Sequence, residues 1–315
     1  MKIALGVDFG GTKIAVAVCG LDGRCLARQV TATGAQDGGE VVFSRGVSAG
    51  RELVAGLAAG GRGVYELAGV GISTIGVPRD DGVELAPAIP GWEGVALARS
   101  AREAFNAPVA VATDVKAAAS VEARWGALAG ADPALYLNLG TGLAAAIVVG
   151  GRVVQGAHGA SGEIGYNLVG PVRASLGAGA RPVLEGTVSG MGLAAGAGRL
   201  LGRQVTAEEV FEQARIDARL EAVVSSFVGE LSQHLVNLVI ALDPSRVAVG
   251  GGMANSWDRL QGPLEAALKS GVPFPPELVL ASRPFDAPLV GALALGVEAA
   301  GADLAWGPSI PAMQH

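Results

Sequence analysis

Two well-separated stretches of this chain are written on one plan. Lys2 to Val7 is an apolar run, Asp8-Phe9-Gly10-Gly11-Thr12-Lys13 a glycine-rich turn and Ile14 to Cys19 a second apolar run; Leu21-Asp22-Gly23-Arg24 then turns into a third strand. Leu135 to Leu139, Gly140-Thr141-Gly142, Leu143 to Val149, Gly150-Gly151-Arg152 and Val153-Val154-Gln155 repeat that order. Short apolar runs bounded by glycine turns read as buried strands, and recurrence of a supersecondary unit constrains the whole architecture. The repeat predicts two related domains, each opening with a β-meander. Two unrelated glycine-rich hairpins are the alternative.

The remaining segments alternate. Ser44 to Gly60, Gly94 to Phe105, Lys116 to Leu128, Ala207 to Ala214, Leu220 to Leu242, Trp257 to Leu268 and Pro288 to Gly301 carry helical patterns. Gly69 to Ile75, Val109 to Thr113, Arg246 to Val249 and Leu278 to Ala281 read as strands. Strands alternating with helices predict α/β layers.

The 315 residues suffice for two domains, and 50% hydrophobic against 17% charged residues provides a large core and argues against disorder. A net charge of −6 opposes general binding to nucleic acid or anionic membranes. Two cysteines, Cys19 and Cys25, and scattered His158, His234 and His315 are poor material for a four-ligand zinc site. The thiols are expected to be small buried or half-buried groups. The charge-free run Pro133 to Gly151 contains Asn138, Thr141 and repeated glycine, so two strands fit it better than a membrane span. Asp8 interrupts the opening apolar run too early for a signal peptide, and a cytoplasmic protein is expected.

Five segments can carry chemistry. In Asp8 to Lys13, adjacent glycines expose backbone N–H groups to phosphate oxygens, Thr12 adds a hydroxyl and Lys13 a charge. Asp8 would repel phosphate unless Mg²⁺ lay between, directly or through water. A structural hairpin is the other reading. Gly140-Thr141-Gly142 is a second phosphate grip or a plain turn. Gly250-Gly251-Gly252-Met253, after the apolar Val247 to Val249, admits a flat ring or ribose to the backbone, or merely turns the chain into a helix. Thr113-Asp114 closes a strand and opens a helix, so Asp114 is either a helix cap or a general base. Gly162-Glu163-Ile164-Gly165-Tyr166 places a carboxylate and a phenol in a loop, for a polyol or for solvent.

Together and in this order the segments resemble the ROK family of sugar kinases, across nearly the whole chain. The resemblance implies the α/β, two-domain actin-like ATPase (ribonuclease H-like) fold with an interdomain cleft. The first domain would comprise 1–112 plus 290–315, and the second 113–289. It assigns ATP phosphates to Gly10, Gly11, Thr12, Lys13 and Gly140 to Gly142, adenosine to Gly250 to Met253, and Mg²⁺ to Asp8. It assigns a hexose or amino sugar to Gly76, Thr113, Asp114, Glu163, Tyr166 and Glu185, the last in Leu184-Glu185 before Ser189-Gly190. Asp114 would take the proton of the sugar 6-hydroxyl as it attacks the γ-phosphate. The family also implies a homodimer.

The departures are specific. Thr113 stands where the family usually has Asn, Tyr166 where it has His, Ala88 where an Asn is typical and Ile75 where Pro precedes Gly76; Asn167 to Pro182 lacks the cysteines of the family's frequent zinc site. Such changes alter hydroxyl recognition. Glucose leads, with an N-acetylhexosamine, mannose or an amino sugar such as kanosamine as rivals. The other readings are a sugar-responsive regulator, for whose N-terminal DNA-binding helices the turn at residue 8 leaves no room, and a catalytically silent sugar-binding relative.

Overall fold

A computed structural model of the chain describes residues 1–59, 64–170 and 182–303. Backbone contacts gather them into two compact units, those within 1–125 together with 286–303, and those within 126–285.

In the first unit β1 (Lys2–Phe9), β2 (Lys13–Gly20) and β3 (Cys25–Ala32) form an antiparallel meander. Then follow α1 (Gly39–Ala59), β4 (Glu66–Thr74), a small hairpin of β5 (Val77–Pro78) and β6 (Val83–Glu84), α2 (Leu97–Phe105), β7 (Val109–Thr113) and α3 (Asp114–Trp125). The sheet runs β3-β2-β1-β4-β7, with β1, β4 and β7 parallel. In the second unit β8 (Ala134–Leu139), β9 (Leu143–Val149) and β10 (Arg152–Val153) repeat the meander. After α4 (Gly190–Leu201), α5 (Ala207–Gln213) and α6 (Ala218–Leu242), β11 (Arg246–Gly250), α7 (Trp257–Gly271) and β12 (Glu277–Leu280) complete the sheet β10-β9-β8-β11-β12. Strand for strand, this is the order and direction of the first sheet. The chain then returns α8 (Ala287–Ala299) to the first unit.

Alternation along the strands builds a core on each face. Ile3, Leu5, Val7 and Phe9 join Val42, Phe43 and Val47 of α1 on one side of the first sheet. Ala4, Ala15, Ala17 and Cys19 face Leu289, Val290, Leu293 and Val297 of α8 on the other, with Val121 of α3. Small residues on that second face let α8 approach the strands at backbone distance: a Cβ on Gly71 would strike Ala292 O. In the second unit α6 is apolar and long enough to cross a bilayer by length and composition alone. Its Leu220, Val224, Phe227, Leu231, Leu235 and Val239 recur at helical spacing and are buried in that unit's core, as an amphipathic core helix requires.

The divisions fall after Trp125 and Phe285, where the sequence places them at 112/113 and 289/290. The cause is α3, which packs on α8 and so stays with the first unit. Among the described residues, the β5–β6 hairpin and α4 are a strand pair and an α-helix without counterpart in the expected elements. Helix α1 begins at Gly39, earlier than Ser44, where Gly39 N–H donates to Pro90 O (2.8 Å). Helix α3 begins at Asp114 and ends at Trp125, short of Leu128.

Candidate active site

In the first unit, register brings the chemistry to one edge. Asp8 pairs with Ser73 across β1 and β4, and Thr74 with Thr113 across β4 and β7. The carboxyl ends of three parallel strands are therefore level, and Asp8, Thr113 and Asp114 line the edge where open α/β sheets take their ligands. Ser73 Oγ donates to Asp8 Oδ1 at 2.8 Å. Loss of water nonetheless pushes the Asp8 carboxyl up to about 6, against the opposing pull of Ser73 and the Lys13 ammonium. Ser73 has a quiet sequence signal: a hydroxyl pair, Ser73-Thr74, ending an otherwise apolar strand.

The Gly10–Lys13 turn is braced from behind. Gly10 N–H donates to Lys13 O (3.0 Å), and a Cβ on Gly10 would stand 2.9 Å from that oxygen. The buried Thr33 donates its hydroxyl to Gly10 O (2.6 Å) and its N–H to Thr12 O (3.0 Å). Arg45, paired with Asp37 at 2.7 Å, holds Thr33 O in turn. Ala88 lies beside Gly11, 3.6 Å from where its Cβ would be, and buried Trp92 donates its indole N–H to Thr74 Oγ1 (3.0 Å), anchoring that segment to the end of β4. Gly76 has a φ of 76° and fits against Ala86 and Glu84 O, so turn geometry by itself requires glycine there.

The capping question at the start of α3 has a definite geometry. Thr113 Oγ1 accepts from Lys116 N–H at 3.2 Å, the bond a helix cap makes. Asp114 Oδ1 accepts from its neighbour Val115 N–H at 2.8 Å. Thr113 makes the cap bond to the third amide of α3, and Asp114, at the first helical position, satisfies the amide that follows it through one of its two carboxylate oxygens.

The second unit has a matching edge. Asn138 pairs with Gly250 across β8 and β11, and Leu139 with Leu143 across the Gly140–Gly142 turn, so the turn and the triple glycine are neighbours. A Cβ on Gly250 would strike Tyr136 Oη, and one on Gly251, whose φ is 94°, would come within 2.8 Å of Asn138 Oδ1. Close packing thus accounts for these two, whereas Gly252 has open space. Met253 is buried in the core of this unit.

The loop carrying Glu163 is sewn to β9, with Ala145 N–H donating to Gly162 O at 2.8 Å. Tyr166 is 45% exposed, and its hydroxyl is pushed up by desolvation and by the nearby charges of Glu185 and Glu163. Glu185 Oε2 accepts from Leu143 N–H (2.8 Å) and stands 3.2 Å from where a Cβ on Gly165 would be. Glu185 thus lies against the Gly140–Gly142 turn, and Tyr166 is within electrostatic reach of both Glu185 and Glu163. Of Asn167 to Pro182, where the resemblance directs the search for zinc ligands, 171–181 lie outside the described residues.

The sequence pattern of the ROK family matches residues 4–299. A glucokinase of Halalkalibacterium halodurans is 30% identical over 278 residues, covering 83% of each chain. An N-acetylmannosamine kinase of Shigella boydii is 28% identical over 296 residues, 92% of this chain and 97% of that one. The crystal structure of a ROK family glucokinase from Streptomyces griseus, in complex with glucose and AMPPNP, superposes with a TM-score of 0.77 at 29% identity, covering 94% of this chain and 99% of the other. The architecture is the two-domain actin-like ATPase fold. By a match that spans nearly its whole length, this chain belongs to the ROK family.

Proposed function

We propose that the protein is a sugar kinase that transfers the γ-phosphoryl group of ATP to the 6-hydroxyl of a hexose, with Asp114 as general base. The observation that carries this reading is the shared edge of Asp8, the Gly10–Lys13 turn and Asp114 at level strand ends. Because Thr33 ties back the carbonyls of Gly10 and Thr12, the amide side of the turn is the side offered to phosphate oxygens. Asp114, in the first turn of α3, would accept the proton of the attacking hydroxyl. In the second unit, Gly140 to Gly142 would receive phosphate and the open backbone at Gly252 the nucleoside. Glu163, Tyr166 and Glu185 would hold sugar hydroxyls. The family likeness to a glucokinase and an N-acetylmannosamine kinase supports a hexose or a hexosamine derivative.

Mg²⁺ fits Asp8. A single desolvated carboxylate beside a phosphate-binding turn is the kind of protein ligand Mg²⁺ takes together with substrate phosphates, and a cation would relieve the cost of ionising it. When bound, Mg²⁺ supplies charge neutralisation on the phosphates. Asp8 would hold it, with Ser73 fixing the carboxylate's orientation.

An amino sugar is the second reading. Two carboxylates, Glu163 and Glu185, bear on Tyr166, and an ammonium group would be welcome in that negative field. ADP release with Mg-ATP across glucose, mannose, N-acetylhexosamines and an amino hexose decides between them. Sugar-dependent turnover establishes the kinase, and the highest kcat/KM names its sugar class. Absence of turnover on all of them would point to a binding or regulatory protein.

A further inference from the structure

As a sugar contact, Glu185 needs only to face a hydroxyl, yet its carboxylate is built into the backbone of the neighbouring turn. Its Oε2 accepts from Leu143 N–H at 2.8 Å. The carboxylate occupies space that exists because Gly142 has no side chain: a Cβ there would stand 2.5 Å from Oε2. Leu143 is 2% exposed and opens β9 directly after the turn, so its N–H would be a buried, unpaired donor without the carboxylate. The Glu185 backbone is fixed as well, its carbonyl accepting from Ser189 Oγ at 2.7 Å. From the same segment Gly190 N–H donates to Gly140 O (2.9 Å) and Met191 N–H to Thr141 O (3.2 Å). The turn is thus attached to the 185–191 segment through the carbonyls of Gly140 and Thr141 and the amide that follows it. Only the last attachment is a side chain, and only that one lies among sugar-facing groups.

We propose that Glu185 is a positioning residue: its carboxylate, inserted between Gly142 and Leu143, holds the Gly140–Gly142 turn in the shape that receives nucleotide phosphate and links that shape to the sugar-facing loop. The inference rests on the kinase reading above and adds a defined coupling to it. A sugar that engages this carboxylate acts on the turn through one hydrogen bond, so sugar and nucleotide affinities are linked, reciprocally.

The test is calorimetric titration of the full chain with AMPPNP and Mg²⁺ in the absence of sugar. Hydrogen bonds to a charged group are among the strong ones, so E185A should bind AMPPNP about tenfold more weakly than the wild type. E185Q keeps an oxygen that can accept from Leu143 N–H. It should therefore retain nucleotide affinity within about twofold while raising the KM for sugar. G142A, whose methyl displaces the carboxylate, should weaken AMPPNP binding as E185A does, and should add little in the E185A background. Should E185A fail to fold, the comparison of G142A with E185Q and the shift of the wild-type Leu143 amide resonance on adding sugar carry the same decision. Wild-type affinity in E185A, additive losses in the double variant, or E185Q as weak as E185A would each overturn the proposal while leaving the kinase reading intact. A wild-type chain that binds no AMPPNP would overturn both.

Discussion

Asp8 shows what a single residue contributes when its solvation and its partners disagree. Burial raises its carboxyl from an ordinary value to about 6, so the folded chain binds a proton that the unfolded chain has released between about pH 4 and pH 6. Stability falls as pH rises through that window, because the unfolded state is the one that ionises freely. The loss is on the order of 3 kcal/mol once both states are ionised. Asp8→Asn should therefore raise the melting temperature at pH 7.5 and flatten the stability profile between pH 4 and 6.5. An unchanged profile, measured by thermal unfolding without nucleotide, contradicts this role for burial. From the sequence, Asp8 to Lys13 could be a phosphate turn or a structural hairpin, and what the structure adds is the register that sets Asp8 beside Ser73 near the strand ends. Its partner Ser73 was marked only by the hydroxyl pair Ser73-Thr74 at the end of an apolar strand, and its role appears once register sets it opposite Asp8. The division of labour between Thr113 and Asp114 likewise depends on which side chain meets Lys116 N–H, a fact of rotamers that spacing does not carry.

At the level of elements, glycine decides where backbones touch, and that is also where sequence patterns mislead. Helix α8 lies on β1 and β4 at distances that leave no room for a Cβ at Gly71. Gly71→Ala should cost about 1–3 kcal/mol by forcing the helix off the strand; denaturant unfolding with an unchanged midpoint would contradict the packing described. The strands of both meanders were legible, since apolar runs between glycine turns have one economical reading. Helix α4 was hidden by Gly190, Gly192, Gly196 and Gly198, which lower helix propensity. The structure needs at least one of them small, because a Cβ on Gly192 would press within 2.8 Å of Gly186 O. Ser189, accepting from Gly192 N–H at 3.0 Å, starts the helix in spite of that composition.

The whole molecule is a duplicated design in which one helix returns. Both units carry the same sheet order, and the repeat was legible because each meander is contiguous in the chain. The allegiance of α3 was not, because it depends on packing against α8, more than a hundred residues away in the chain. A chain ending at Phe285 should expose the Ala4, Ala15 and Ala17 face of the first sheet. Hydrogen exchange should then find protection lost in β1, β2 and β4 and retained in β8 and β11; equal protection in both sheets would contradict the assignment of α8. The account as a whole stands on Asp114 acting at the same edge as the Gly10–Lys13 turn. The most direct measurement is ADP release by Asp114→Asn beside the wild type, with the best sugar at saturation and its binding followed separately. The account predicts a loss in kcat of roughly 10²–10⁴ with sugar affinity kept, since the substitution is isosteric and removes only the base. Turnover equal to the wild type would remove Asp114 from the chemistry and the central claim with it.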